Sequence, residues 1–284
     1  MWRVEYPPCF IYNFSMKEFD FYIVPTPIGN LGDMTARAID VLKKVDIIAC
    51  EDSRVTQKLL NHFEIATKCV SYHKFNERER VDFLLGELKS GRKVALVSDA
   101  GTPLFCDPGA VLVKELRKNN ISVTALAGAN ALATFLSEVS RCGEDFYFAG
   151  FLPKSQTQIE DLFKKYADTD FAFYESPNRI LKTLEIVRTV RPQAKVALGR
   201  ELTKVFEEIV VDDAASVINY FEENVLKGEI VALVFRDENP ADIDLDNKIE
   251  TLLKKGFKAK EISIILSELF GVNKNEVYKR VLQI

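Results

Sequence analysis

The chain alternates between two hydrophobic patterns. Short, predominantly apolar runs at 21–24, 45–50, 94–97 and 123–126 predict strands, and their lack of alternation predicts burial on both sheet faces. Between them, apolar residues recur at helical spacing over 35–44, 55–63, 81–89 and 110–119. Strands alternating with helices argue for a parallel sheet covered on both sides. A second mixed unit starts near Phe146. It has helices at 159–166, 180–189 and 214–224, and strands at 171–174, 196–198, 206–211 and 230–235. The pattern breaks at Asp237-Glu238-Asn239-Pro240, which reads as a linker. Three short helical stripes follow, the first two stopped by Gly256 and Gly271, and the third opened by Asn273 with Glu276. Two helices joined by a tight glycine turn suit either a helix-turn-helix unit or a plain packing bundle. The expected division is a 1–20 extension, an α/β lobe at 21–129, a second at 130–241 and a helical tail at 246–284.

Composition narrows the class. At 284 residues, 47% apolar and 28% charged, the chain is expected to be a soluble globular protein of two domains. No apolar run reaches the ~20 residues of a membrane span, and residues 1–20 do not have the pattern of a secretory signal. The five cysteines are scattered without a CxxC pair, which argues against a disulfide framework or a cysteine zinc site and fits a reducing cytoplasm. Two histidines are too few for a His-based metal centre, so no metal is expected. Charge is uneven. Residues 246–284 carry eight basic and five acidic side chains, a net +3 against −4 for the whole chain. A basic appendage on an acidic body suits a polyanion partner; a solvated helix face accounts for it equally well.

The candidate chemistry sits after the strands, where parallel sheets collect function. The segments 25–30, 98–103, 107–109 and 127–130 are rich in Gly, Pro, Ala and short polar residues, so backbone groups can approach a ligand closely. One such segment would be a tight turn; several at successive strand ends predict a pocket, with Asp99 as a carboxylate for an amine or hydroxyl. The chain contains no GxxxxGK[ST], no GxGxxG after a strand, no GxSxG and no HExxH. His73, in Ser71-Tyr72-His73-Lys74-Phe75-Asn76-Glu77, sits among polar and aromatic groups suited to a base or ribose, or to a helix cap. Three clusters pair acid with arginine: Glu51-Asp52-Ser53-Arg54, Glu175-Ser176-Pro177-Asn178-Arg179 and Arg200-Glu201-Leu202-Thr203-Lys204. Each reads as a salt bridge or as part of an anion-tolerant cleft.

Taken in order, Pro25-Thr26-Pro27-Ile28-Gly29-Asn30-Leu31, Glu51-Asp52-Ser53-Arg54, Ser71-Tyr72-His73, Ser98-Asp99-Ala100-Gly101-Thr102-Pro103, Asp107-Pro108-Gly109, Phe173-Tyr174-Glu175-Ser176-Pro177 and Arg200-Glu201-Leu202-Thr203-Lys204 resemble the ribosomal RNA small subunit methyltransferase I family, of the tetrapyrrole-methylase-like superfamily. The resemblance runs from Phe21 to about Arg236. It implies an α/β, two-lobed tetrapyrrole-methylase-like fold with a small C-terminal helical module. It also implies a homodimer binding S-adenosylmethionine between its lobes and methylating the ribose 2′-oxygen of a cytidine in the decoding region of 16S rRNA, on the small ribosomal subunit. Donor contacts carried over from the superfamily fall on Pro25, Pro27, Gly29, Asp99, Ala100, Gly101 and Gly128. The chain departs from the family at Ala127-Gly128-Ala129, where a Pro-Gly-Pro type loop is usual, and at Gly199, where Ala is common.

Methyl transfer from a sulfonium is an in-line displacement that needs alignment and help in removing a proton from a weakly nucleophilic hydroxyl. The candidates for that help are Glu51, Asp52, Glu175 and Glu201. Arg54, His73, Arg179 and Arg200, with Lys258 and Lys274 of the tail, are the candidate RNA contacts. Two alternatives remain: a small-molecule methylase of tetrapyrrole type, and a non-catalytic RNA-binding module.

Overall fold

The computed structural model describes residues 17–74, 76–141, 145–224, 226–237, 245–270 and 273–282. Most of the expected N-terminal extension, most of the linker at 237–240 and the helix stop at Gly271 lie outside the described residues. Two compact units emerge, 1–130 and 131–284.

The first unit holds one parallel sheet. Its strands are β1 (Phe21–Ile23), β2 (Ile47–Cys50), β3 (Lys68–Ser71), β4 (Val94–Val97) and β5 (Val123–Ala125), in the order β3-β2-β4-β1-β5. Its helices are α1 (Ala36–Lys44), α2 (Ser53–His62), α3 (Glu77–Lys89) and α4 (Ala110–Lys118). Alternate strand residues serve opposite faces. Tyr22, Val24, Ile48, Cys50, Ala95 and Val97 pack with α1 and Leu60 of α2. Phe21, Ile23, Ile47, Ala49, Val94 and Leu96 pack with α3 and α4. This double burial is why β1, β2 and β4 read as apolar runs: each fully buried aliphatic side chain is worth ~1.5–3 kcal/mol, which disfavours a polar residue on either face. Side-chain oxygens of Thr35 and Asp52 cap the first turns of α1 and α2. Strand β3 has no counterpart in the apolar pattern. It is an edge strand with no fully buried residue.

The second unit opens with α5 (Ala131–Glu138), also absent from the pattern-based reading. It continues with β6 (Phe146–Phe151), α6 (Gln156–Lys165), β7 (Asp170–Glu175), α7 (Pro177–Val190), β8 (Lys195–Arg200), β9 (Glu208–Asp213), α8 (Ala214–Glu223) and β10 (Ile230–Val234). Its sheet order is β6-β7-β10-β8-β9, parallel only between β6 and β7. Helices α6, α7 and α8 cover one face through Ile159, Phe163, Ile180, Leu184, Val217 and Phe221. Phe135 of α5 reaches Gly199, where an added Cβ would stand 2.7 Å from its ring. The departure from Ala at 199 thus has a steric cause. The strand expected at 206–211 begins two residues later: Val205 and Phe206 are 93% and 72% exposed at the tip of the β8–β9 connection.

The tail folds as α9 (Leu245–Lys254), α10 (Ala259–Phe270) and α11 (Lys274–Val281). They share a small core of Leu245, Ile249, Ile262, Leu266, Val277 and Val281. Asn273 caps α11 by accepting from the amides of Asn275 and Glu276. No helix among the described residues is long and apolar enough to cross a membrane.

Candidate functional site

In the first sheet the chain leaves β1 in one direction, crossing β4 to reach β2, and leaves β4 in the other, crossing β1 to reach β5. The strand order therefore reverses between β4 and β1, and a crevice opens at their carboxyl ends. Three of the side-chain-poor segments meet there because β4, β1 and β5 are neighbours. Thr26 and Gly101 exchange amide hydrogen bonds, both 2.9 Å, which couples the first two loops. Thr26 Oγ1 donates to the Ser98 carbonyl at 3.0 Å, and Thr102 Oγ1 donates to the Ala129 carbonyl at 3.0 Å, joining the third. Gly128 lies so close to Pro25 that an added Cβ would stand 2.6 Å from the proline Cβ. Thr26, Pro27, Gly29, Thr56, Ser98 and Asp99 are among the residues lining a cavity of about 250 Å³ beside these loops. That is close to the lower end of the ~300–1,000 Å³ range of small-molecule pockets. Of the seven donor-contact candidates, six lie on the clasped β1 and β4 loops, and Gly128 stands against Pro25.

Beside them, at the ends of β2 and β3, stand Glu51, Asp52, Arg54 and His73. The Asp52 amide donates to Asp99 Oδ1 at 3.0 Å, tying the two strand ends together. Asp52 itself is engaged elsewhere. Its carboxylate takes both Arg54 Nε, at 3.0 Å, and Arg54 Nη2, at 2.6 Å, and these bonds hold it down at about 2. Glu51 behaves in the opposite way: burial, then the charge of Asp99, push its carboxyl up, and His73 opposes them. Asp107 joins this group. Burial, then Glu51, raise it to about 6, with Asp99 adding to the rise and a hydrogen bond from Ser98 opposing it. The loop that delivers Asp107 places two non-glycine residues in the left-handed region, Leu104 at φ 68° and Cys106 at φ 70°. Such strain persists only where surrounding structure enforces it. Glu77 is one such restraint, since its Oε1 accepts from Tyr72 Oη at 2.6 Å and from the Gly109 amide at 3.3 Å.

The other candidates occupy the second sheet. Glu175 and Arg200 end β7 and β8 and flank Ile230 of β10. Glu175 is buried; its oxygens take the Ser176 amide at 2.8 Å, Thr183 Oγ1 at 3.4 Å and Arg179 Nη2 at 3.1 Å. Arg179 also donates to the Pro153 carbonyl at 2.6 Å. Arg200 Nε meets Glu208 Oε2 at 2.6 Å, directly across the β8–β9 pair. Lys204 Nζ bonds Glu201 Oε1 at 2.9 Å, and this bond keeps the Glu201 carboxyl low. Lys258 precedes α10 and Lys274 opens α11.

A family profile described as tetrapyrrole (corrin/porphyrin) methylases matches residues 20–218. A ribosomal RNA small subunit methyltransferase I from Vibrio cholerae is 42% identical over 266 residues, covering 91% of this chain and 92% of the relative. The chain belongs to the tetrapyrrole methylase family, in its ribosomal RNA small subunit methyltransferase I branch. Solved structures of low identity share the methylase fold. A diphthine synthase superposes with a TM-score of 0.61 at 13% identity, covering 76% of this chain and 89% of that one. A uroporphyrin-III C-methyltransferase from Thermus thermophilus, complexed with S-adenosylhomocysteine, gives 0.53 at 16%, covering 75% and 96%.

Within this methylase, Asp107 is the residue that motif reading passed over as a candidate for chemistry. In the sequence, Asp107-Pro108-Gly109 reads as one of the pocket segments and as part of the family motif, with no role given to its carboxylate. Its neighbour Glu51 lies far away in sequence and meets it only through the sheet order. No group of three or more His, Cys, Asp or Glu among the described residues is arranged to hold a metal ion.

Proposed function

We propose that the chain transfers a methyl group from S-adenosylmethionine to the ribose 2′-oxygen of a cytidine in the decoding region of 16S rRNA. The reading rests on one observation above all. A chain about 40% identical to ribosomal RNA small subunit methyltransferase I over nine-tenths of its length brings its small-residue loops together at the strand-order reversal of its first sheet. The close approach of Gly128 to Pro25 and the cavity beside Thr26 and Asp99 suit a nucleoside held largely by backbone groups. When bound, the donor supplies a methyl carbon activated by a cationic sulfur.

The residues of the chain supply alignment and proton removal. Among the four carboxylates picked out in the sequence, Asp52 is neutralised by Arg54, Glu175 is committed to Arg179 and Thr183, and Glu201 is committed to Lys204. Glu51 is the one raised towards neutrality, and a base closer to the working pH accepts a proton more effectively. We assign Glu51 as acceptor of the 2′-hydroxyl proton as the oxygen–carbon bond forms and the carbon–sulfur bond breaks, its electron pair remaining on sulfur. The like charge acting on Glu51 is that of Asp99, and Glu51 in turn raises Asp107. We further read the protein as a cytoplasmic homodimer whose basic tail adds attraction to rRNA.

The decisive test supplies isotopically labelled donor and small ribosomal subunits from a strain lacking this methylation. Label on a cytidine ribose after nuclease digestion is the expected result. Label on a porphyrinoid with none on RNA overturns the reading in favour of a small-molecule methylase. Failure to bind the donor in calorimetry would point to a pure RNA binder.

A further inference from the structure

The turn between α9 and α10 reads Lys254-Lys255-Gly256-Phe257-Lys258-Ala259-Lys260, with four lysines and no acid. The core of the tail is complete without Phe257. The ring is nonetheless held in place. The Gly256 amide donates to the Leu253 carbonyl at 2.9 Å, the Phe257 amide donates to the Leu252 carbonyl at 3.1 Å, and Gly256 sits at φ 87°. These two bonds are the paired closure that ends a helix on a left-handed glycine. On the far side, the Lys258 amide donates to Glu261 Oε2 at 2.8 Å, which fixes the entry into α10. Phe257 is therefore presented from a turn braced at both ends, and it remains 40% exposed.

The cations flanking Phe257 in sequence are largely unspent. Lys254 Nζ lies 3.2 Å from Glu250 Oε2. Lys255, Lys258 and Lys260 are exposed and, among the described residues, enter no ion pair. An exposed ring flanked in sequence by unpaired ammonium groups matches the chemistry of single-stranded nucleic acid, in which bases offer a π-face and phosphates offer charge. An acidic protein surface would satisfy the lysines and leave the ring unused.

We propose that this turn is a contact for unpaired RNA, with Phe257 stacking on a base and Lys255, Lys258 and Lys260 holding the flanking phosphates. The proposal rests on the rRNA-methylating function above and adds to it a specific contact that lies outside the donor crevice.

The test uses the full chain and a fluorescein-labelled single-stranded RNA oligonucleotide, read by anisotropy. Phe257→Leu keeps an apolar side chain able to pack on the helix end and removes the π-face; its affinity should fall about 5- to 100-fold with an unchanged salt slope. The triple variant Lys255→Ala, Lys258→Ala, Lys260→Ala should flatten the slope of log affinity against log salt by about 2. The chain has one tryptophan, Trp2. In a Trp2→Phe background, Phe257→Trp should restore affinity, and its emission should be quenched by RNA. Donor binding in calorimetry should be unaltered in every variant, and an unchanged far-ultraviolet circular dichroism spectrum establishes that the tail helices are folded in each. Wild-type affinity in Phe257→Leu, or unquenched emission at saturating RNA, overturns the stacking contact. If wild type methylates small subunits and Phe257→Leu does so with an unchanged KM for RNA, the contact is refuted and the function stands. If wild type places no label on RNA at all, the function itself is refuted.

Discussion

Replacing Asp107 with asparagine should stabilise the protein while impairing it. An aspartate moved from the usual 3.8 to about 6 binds its proton more tightly when folded than when unfolded. Its stabilising contribution is complete below pH ~4 and is lost as pH rises through about 6. At neutral pH the ionised carboxylate is held in a place that disfavours it. The full shift corresponds to about 3 kcal/mol. Asp107 is partly exposed, and solvent screening leaves about 1–2 kcal/mol of that. Asparagine is close in shape and carries no charge, so it escapes the cost. Urea denaturation of both proteins at several pH values is the assay. The stability advantage of Asp107→Asn should grow by about 1 kcal/mol between pH 4.5 and pH 7.5, or a few degrees in Tm. Methyl transfer should fall about tenfold, because an ionisable carboxyl coupled to Glu51 is lost beside the crevice. An advantage independent of pH would refute the burial-and-repulsion account of this loop. A pH-dependent advantage with undiminished transfer would separate Asp107 from the chemistry.

Glu51→Gln should abolish most of the transfer, at least about 10²-fold in kcat, with donor affinity unchanged by calorimetry. Gly128→Ala places a methyl group 2.6 Å from Pro25 Cβ, so donor affinity should fall at least about tenfold while thermal stability changes by only a few degrees. Arg179→Ala leaves the buried Glu175 carboxylate without its cation and should cost about 2–3 kcal/mol of stability, read as a lower Tm, with donor binding retained. Deleting 246–284 should weaken RNA binding more than donor binding; equal loss of both would count against a tail devoted to RNA.

Strands β1, β2 and β4 were readable because burial on both faces leaves an apolar signature, and the loops after β1 and β4 were readable because their small residues are contiguous. Strand β3 escaped notice since an edge strand, with Lys68 exposed and Cys69, Val70 and Ser71 half-buried, has no such signature. Helix α5 escaped because it buries only Leu132 and Phe135, too few to set a period. The acid–arginine clusters posed a different problem. Proximity in sequence suggested pairs without saying which would be structural. Asp52 with Arg54 and Glu175 with Arg179 are indeed paired within their own segments, whereas Arg200 finds Glu208 across a strand pair. Glu51 and Asp107 were harder still, because a carboxylate's proton affinity depends on neighbours supplied by other strands. No local motif records that dependence.

The reciprocal amide exchange between Thr26 and Gly101 adds one rung to the sheet beyond the ends of its strands. Two loops that would otherwise flutter independently are locked before any ligand arrives, so little disorder is left to be removed when one does. Hydrogen exchange at these two amides should be as slow as in the strand interiors, and a bulkier donor analogue would find a mouth that does not stretch.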